Sequence, residues 1–428
     1  MYGITPEVAV LLVLLVLKYV ATTWLDILNM RAVRANMGKV PEAFASFMDE
    51  QTFTKSALYT IEKTKFGIFE RSCNTILMAV ILALWALPMM FNYGVDLFGT
   101  SVWAQALILI LISIALSIPS LPLDYYSQFV IEQAYGFNKS TVKLWIVDNI
   151  KGLIVGIVIG APILALILWF SETFKTTWWL WGFIAVSVFQ VVMIIIFPRL
   201  ILPLFNKLEP LPDGDLRDRL MAVADRGGFR ASTIQVIDGS KRSTHSNAFF
   251  TGFGRFRRIV LFDTLIEQLE PSEIEAVLAH EIGHYKKGHI IKMIAMNFIE
   301  MFITFAIMGW LSASEWFYIG FGFTEAQGFA PVFLMLSLFA GLFTFWFTPI
   351  TNMFSRKHEY EADAFASNIT KADDLKSALR KLHKKNLGNL TPHPIYSAFY
   401  YSHPTLLERE RALEAISSKS VEKENEEK

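Results

Sequence analysis

The stretch AVLAHEIGHYKKGH, residues 276–289, carries the residue types and spacing best able to do chemistry. His280 and His284 lie four apart, so on a helix both imidazoles leave one face a turn apart, the spacing needed to grip a single divalent ion. Glu281 sits beside them. A carboxylate there can take a proton from a metal-bound water, whose pKa a zinc ion lowers to about 7. An ordinary amphipathic helix could carry the same letters, so the reading needs a further ligand. Catalytic zinc takes three protein ligands plus water. SRKHEYEADAFA, residues 355–366, supplies a third. Glu359 and Asp363 fall four apart on one helical face while Glu361 points elsewhere. Glu359 is the expected third ligand, and Asp363 an acceptor that orients a ligating imidazole through its free N–H. Taken alone, this segment reads as a charged, solvated helix; beside the histidine motif it reads as the second half of a metal site.

The single cysteine, Cys73, cannot form an intramolecular disulfide or a thiolate cage, so histidine and carboxylate must hold any metal. Cys73 reads as a small buried apolar residue. His245, His289, His358, His383 and His393 fall off the ligand spacing. His289, nine residues after His280, would lie about 180° round a continuous helix, and none of the five is expected to act directly.

The elements that must position these residues are largely apolar. Of 428 residues, 53% are hydrophobic and 18% charged, and the mean hydropathy is +0.40. That balance places the chain in a lipid bilayer. Lysine plus arginine and aspartate plus glutamate both number 39, so bulk charge points to no nucleic acid or polyanion. Seven apolar runs approach the ~20 residues a hydrocarbon core requires, near 6–27, 73–92, 102–121, 150–170, 178–200, 290–311 and 328–350. The first reads as a retained helix: no basic residue precedes it and no small-residue cleavage site follows.

Lysine and arginine tend to stay cytoplasmic. Arg31, Arg34, Lys39, Lys55, Lys63, Lys65 and Arg71 precede the second run, and Lys139 and Lys143 precede the fourth. The segments 93–100 and 312–327 carry no such charge. This predicts an outward or lumenal amino terminus, with the polar regions after runs five and seven in the cytoplasm. The predicted organisation is 1–205 with five spans, 206–289 as the first half of a metalloprotease domain, 290–351 with spans six and seven, 352–418 as the second half, and 419–428 as a disordered charged tail. The first half reads as mixed α/β: a helix at Asp215 to Arg226, a strand at Thr233 to Val236, and NAFFTG with RRIVLF as a hairpin turning at Gly252 and Gly254. The fold class is thus a mainly α membrane protein, seven transmembrane helices with an α/β zinc metalloprotease domain split around helices six and seven. Lys292, Asn297 and Glu300 in span six would be costly against lipid, which predicts a polar cavity or a helix partner on that face.

The motifs FVIEQAYGFNKST, PRLILPLFNKLEPLP, KRSTHSNAFFTGFGRFRRIVLFDTLI, VLAHEIGHYKKGH, SRKHEYEADAFA and IYSAFYYSHPTLLERERALE follow one another in this order. Together they resemble the type I CAAX prenyl endopeptidases, integral-membrane zinc proteases of the gluzincin type, over nearly the whole chain. The resemblance implies one zinc ion on His280, His284 and Glu359, with Glu281 as general base. It further implies that His403 stabilises the oxyanion of the tetrahedral intermediate, that Arg409 supports it, and that the strand at Asn247, Ala248 and Phe249 receives the substrate as an added strand. It also implies a large water-filled chamber within the seven spans.

The expected activity is therefore metal-dependent hydrolysis of a peptide or protein, prenylated at a carboxyl-terminal CAAX cysteine in the family case. A quality-control protease acting on unprenylated membrane proteins would use the same chemistry. A seven-helix receptor or carrier with structural metal is the reading from another class, against which Glu281 stands. The membrane would be the endoplasmic reticulum in a eukaryote and the inner membrane in a bacterium.

Overall fold

The computed structural model describes residues 3–229, 233–251 and 258–426. Among the described residues, seven helical rods are long and apolar enough to cross a bilayer: Pro6–Asn36, Glu50–Ala83, Val102–Tyr135, Val142–Phe174, Trp178–Phe205, His289–Ser312 and Ala330–Ile369. These are spans one to seven of a multi-pass membrane protein. Side chains close several of their first turns: Thr5, Ser101 and Thr141 each accept a backbone N–H three residues on, satisfying donors that a helix start leaves free.

Span two departs from the sequence reading. The apolar run 73–92 belongs to two elements, because the helix Glu50–Ala83 stops at Leu84, Trp85 adopts a left-handed φ of 56°, and a separate helix, Ala86–Phe98, follows. Lys63, Lys65 and Arg71 are thus helical rather than in a loop. Arg71 meets Asp26 of span one at 2.7 Å, so helix pairing carries charge that periodicity alone assigns to a connection.

Each span packs on the next, Ala86–Phe98 joins spans two and three, and span seven packs back on span one. The result is a closed ring. Buried apolar side chains form two main clusters. One gathers the start of spans one, three, five and seven with the end of two, four and six, around Leu11, Phe91, Ile108, Leu168, Trp178 and Val332. The other lies within the polar domain around Leu220, Ile259, Leu261 and Ile282. Between these plugs most apolar side chains of spans five and six are exposed, so the wall there is one helix thick. The chain presents 22466 Å² of accessible surface, where a compact monomer of its mass would present about 17,000 Å². The exposed apolar faces of the spans contribute to the excess. The polar lining of the ring includes Lys292, Asn297 and Glu300, which border a cavity of about 630 Å³ with Asn352 and His358; Asn297 also accepts from Gln190 of span five at 2.7 Å.

The polar domain is built on four strands, β1 (Leu208–Pro210), β2 (Thr233–Ile237), β3 (Ala248–Thr251) and β4 (Arg258–Phe262), in the order β1-β2-β4-β3. β2 and β4 are parallel, and the outer pairs antiparallel. The helix Asp215–Arg226, strand β2 and the β3–β4 pairing match the sequence expectation; Gly252 and Gly254 lie outside the described residues. The tail expected to be disordered from Lys419 instead prolongs the helix Leu406–Glu426, consistent with the helix preference of glutamate and lysine. Cys73, read as buried, is half-buried.

Candidate metal centre

The two helices that bear the ligands are ends of membrane spans. Pro271–Lys286 carries His280, Glu281 and His284 and leads into span six through only Lys287 and Gly288. Thr348–Ile369 carries Glu359 and continues span seven after one 3-10 turn at Phe345–Phe347. Pro271 occupies the first turn of the former, and Glu270 and Glu273 form a reciprocal capping box there. The two helices touch closely because Gly283 lacks a side chain: a Cβ built on it would lie 3.0 Å from both the Cα and the carbonyl oxygen of Ala362.

His280, His284 and Glu359 come together with their ligand atoms within 4.8 Å of one another. The Nε2 atoms of the two histidines are 3.2 Å apart, His284 Nε2 is 3.2 Å from Glu359 Oε1, and His280 Nε2 is 3.4 Å from Glu359 Oε2. A tetrahedral ion with bonds of about 2.0–2.1 Å holds its ligand atoms about 3.3 Å apart; the two imidazole nitrogens meet that spacing, and each faces a different oxygen of the Glu359 carboxylate at a similar distance. Glu359 Oε2 is buried, with the cationic Arg409 Nη1 at 3.5 Å and His280 Nε2 at 3.4 Å beside it, so a carboxylate oxygen faces the two rings where a cation would sit. The donor set fits a divalent metal. Without one, burial opposes a charged ring, yet hydrogen bonds to Asp363 and Glu359 outweigh it and lift the His280 pKa to about 9.

Behind the ligands, His280 Nδ1 donates to Asp363 Oδ1 at 2.8 Å. Asp363 in turn accepts from Arg409 Nε at 2.8 Å and Nη2 at 2.5 Å. Arg409 is buried, and its Nη1 lies 3.5 Å from Glu359 Oε2. Its polar contacts are with Asp363, Glu359 and, at 3.4 Å, His280 Nδ1, rather than with His403. His403 approaches from the solvent side: Nε2 is 3.5 Å from Glu359 Oε1, Nδ1 shares a hydrogen bond with Ser402 Oγ at 2.9 Å, and the side chain is 63% exposed. Glu281 adjoins the ligands with no hydrogen bond or ion pair to any described residue. Burial raises its carboxyl above the ordinary range, with His280 and His284 opposing.

Sequence reasoning passed over two residues. His289 does not continue the helix of His280, because Gly288 takes a left-handed φ of 68° and starts a new helix. The reversal returns His289 to the site, where its Nδ1 lies 3.0 Å from His284 Nδ1 and its Nε2 2.9 Å from Glu361 Oε2. The signal was Gly288 after two lysines, an ordinary helix stop.

β3 is an edge strand packed on the His280 helix. Phe262 N–H donates to Asn247 O at 3.1 Å, so Asn247 and Phe249 face β4 and the alternate residues face outward. An added strand would meet the backbone of Ala248 and Phe250; Phe249, named in the sequence reading, turns its backbone into the sheet. Asn247 Oδ1 accepts from Ala248 N at 2.8 Å, leaving the carbonyl of Ala248 and both polar groups of Phe250 on the free edge.

A divalent-metal site with an unengaged carboxylate, an open histidine and an unpaired strand edge has the parts of peptide-bond hydrolysis. Mounted on the ends of two spans, it defines an integral-membrane metalloendopeptidase. Residues 29–207 match the CAAX prenyl protease N-terminal region, described as five membrane helices, and residues 210–417 match peptidase family M48. CAAX prenyl protease 1 of Saccharomyces cerevisiae is 38% identical over 410 residues, covering 89% of this chain and 90% of the relative. The CAAX prenyl protease 1 homolog of Homo sapiens is 33% identical over 429 residues, covering 88% and 89%. The crystal structure of S. mikatae Ste24p aligns with a TM-score of 0.89 and 36% identity over 96% of this chain and 100% of that one. The chain belongs to the CAAX prenyl protease family of M48 metallopeptidases. The receptor or carrier reading falls away.

Proposed function

We propose that this protein is a zinc endopeptidase that removes the carboxyl-terminal residues of prenylated CAAX proteins at the cytoplasmic face of its membrane. The observation that carries the proposal is the ligand triad held between the helix that precedes span six and the helix that ends span seven. His280, His284 and Glu359 would hold the ion, and zinc, when bound, supplies a Lewis acid that acidifies water and polarises a carbonyl. Glu281 then takes the proton of the attacking water and passes it to the leaving amine. Its raised pKa moves it closer to the working pH, where a base is most effective. His403 donates from Nε2 to the oxyanion as charge develops there. The substrate lies along β3, bonded to Ala248 and Phe250 on the free edge. Asp363 keeps the proton of His280 on Nδ1 and so leaves Nε2 free for the ion, with Arg409 holding Asp363 ionised. The basic residues of the segments between spans one and two and between three and four support a cytoplasmic site and an outward or lumenal amino terminus.

Two measurements test this. Purified protein should cleave a farnesylated CAAX peptide at least tenfold better in kcat/KM than its unprenylated form; equal rates would favour the quality-control reading. Glu281→Gln should keep one zinc per chain and lose more than a hundredfold in kcat, and a variant retaining full proteolysis would remove Glu281 as the base.

A further inference from the structure

We propose that His289 and Glu361 form a positioning relay that sets the tautomer and orientation of the metal ligand His284; the inference rests on the metal-site reading above. His284 can bind an ion through Nε2 only if its ring proton sits on Nδ1. That N–H needs an acceptor, and the atom 3.0 Å away is Nδ1 of His289. His289 must therefore present a bare Nδ1 and carry its own proton on Nε2. There, 2.9 Å off, Glu361 Oε2 accepts it. Glu361 thus directs the proton of His289, and His289 directs that of His284, leaving Nε2 of His284 turned to the ion. The opposite arrangement, with His289 donating from Nδ1, would put a proton on His284 Nε2 and abolish the ligand.

The surroundings hold this order in place. His289 is 1% exposed and its ring stacks on His358, centroids 4.0 Å apart and planes 15° from parallel. It cannot turn its ring freely. The site is therefore asymmetric. His280 is oriented directly by Asp363, a carboxylate sealed behind Arg409, whereas His284 is oriented through a second imidazole by a carboxylate that is one-third exposed. Residues that orient a ligating histidine are worth about 10- to 100-fold in metal affinity.

The experiment is a competitive chelator titration of zinc on the full chain in detergent, with thermal melting of each metal-free variant as the folding control. His289→Phe keeps a stacked ring without an acceptor and should bind zinc at least tenfold more weakly. His289→Asn places Oδ1 near the position of the lost Nδ1 and should recover to within about threefold of the parent. Glu361→Ala, at a partly exposed position, should weaken zinc three- to tenfold. At saturating zinc, kcat of His289→Phe, counted per bound zinc so that any unfolded fraction drops out, should fall with KM unchanged. A folded His289→Phe with parental zinc affinity overturns the relay. If that variant does not fold, Glu361→Ala decides: parental affinity overturns the relay, weakened affinity upholds it. A parent chain that binds no zinc sinks the ion assignment and the relay together; a parent that binds zinc beside an unaffected variant sinks the relay alone.

Discussion

Arg409 and Asp363 meet in a two-pronged, fully buried ion pair, with Asp363 also bonded to the ligand His280. Removing one partner of such a pair strands a charge in low dielectric, at about 3–5 kcal/mol. Arg409→Met should therefore lower stability by that order in denaturant unfolding, and Asp363→Asn combined with it should cost less than the two single changes added. Additive losses would show that the pair is not coupled.

Gly283 lets the backbone of the Glu359 helix approach the His280 helix at Ala362. Gly283→Ala must push the two apart by a few tenths of an ångström or more, since a Cβ there meets the Ala362 backbone at 3.0 Å and the Phe365 Cβ at 3.2 Å, none of them the far end of a flexible side chain. The expected result is zinc affinity reduced at least fivefold, although alanine favours the helix itself by about 1 kcal/mol. Unchanged affinity in a chelator titration would show that the helices accommodate the methyl group elsewhere.

Metal binding should release a proton. With a pKa of about 9, the metal-free His280 ring is charged at neutral pH, and an ion on Nε2 displaces that proton while Asp363 keeps the one on Nδ1. Apparent zinc affinity should rise about tenfold per pH unit between about pH 7 and 9. Calorimetry in buffers of different ionisation enthalpy measures the proton count. Buffer-independent heats at pH 7 would contradict the charged state.

Glu273 gives the acid limb. It is 4% exposed; burial favours its neutral form, but Lys381, Ser377 and the backbone of Glu270 donate to it and hold its pKa below the ordinary value. A depressed carboxylate stabilises the fold above the unfolded value of about 4.3. That stability is lost as pH falls through the folded pKa. Glu273→Gln should cost about 1–3 kcal/mol near neutrality, and melting temperatures should show the deficit shrinking below about pH 4.

Much of this was legible in the residues. Apolar length finds seven spans, and helical spacing brings His280, His284, Glu359 and Asp363 onto matching faces. What escaped depends on backbone events that periodicity does not encode. Trp85 divides one apolar run between two helices, and Gly288 folds His289 back to His284. The parity of β3 turns on which residue first bonds β4, and so exchanges Phe249 for Phe250. Arg409 is expected beside His403, its neighbour in sequence, because its partners Asp363 and Glu359 lie 46 and 50 residues away in sequence. Only long-range packing makes it a buried counter-ion.

The Glu359 helix prolongs span seven and the His280 helix is hinged to span six at Gly288, so the metal geometry is mechanically tied to the bilayer. A thicker or thinner membrane tilts such rods, and unlike tilts would alter the separation of His280 from Glu359. Two joints lie between bilayer and ligands: Gly288 on one rod and the 3-10 turn Phe345–Phe347 on the other. Lipid chain length thereby becomes a variable of the catalytic geometry.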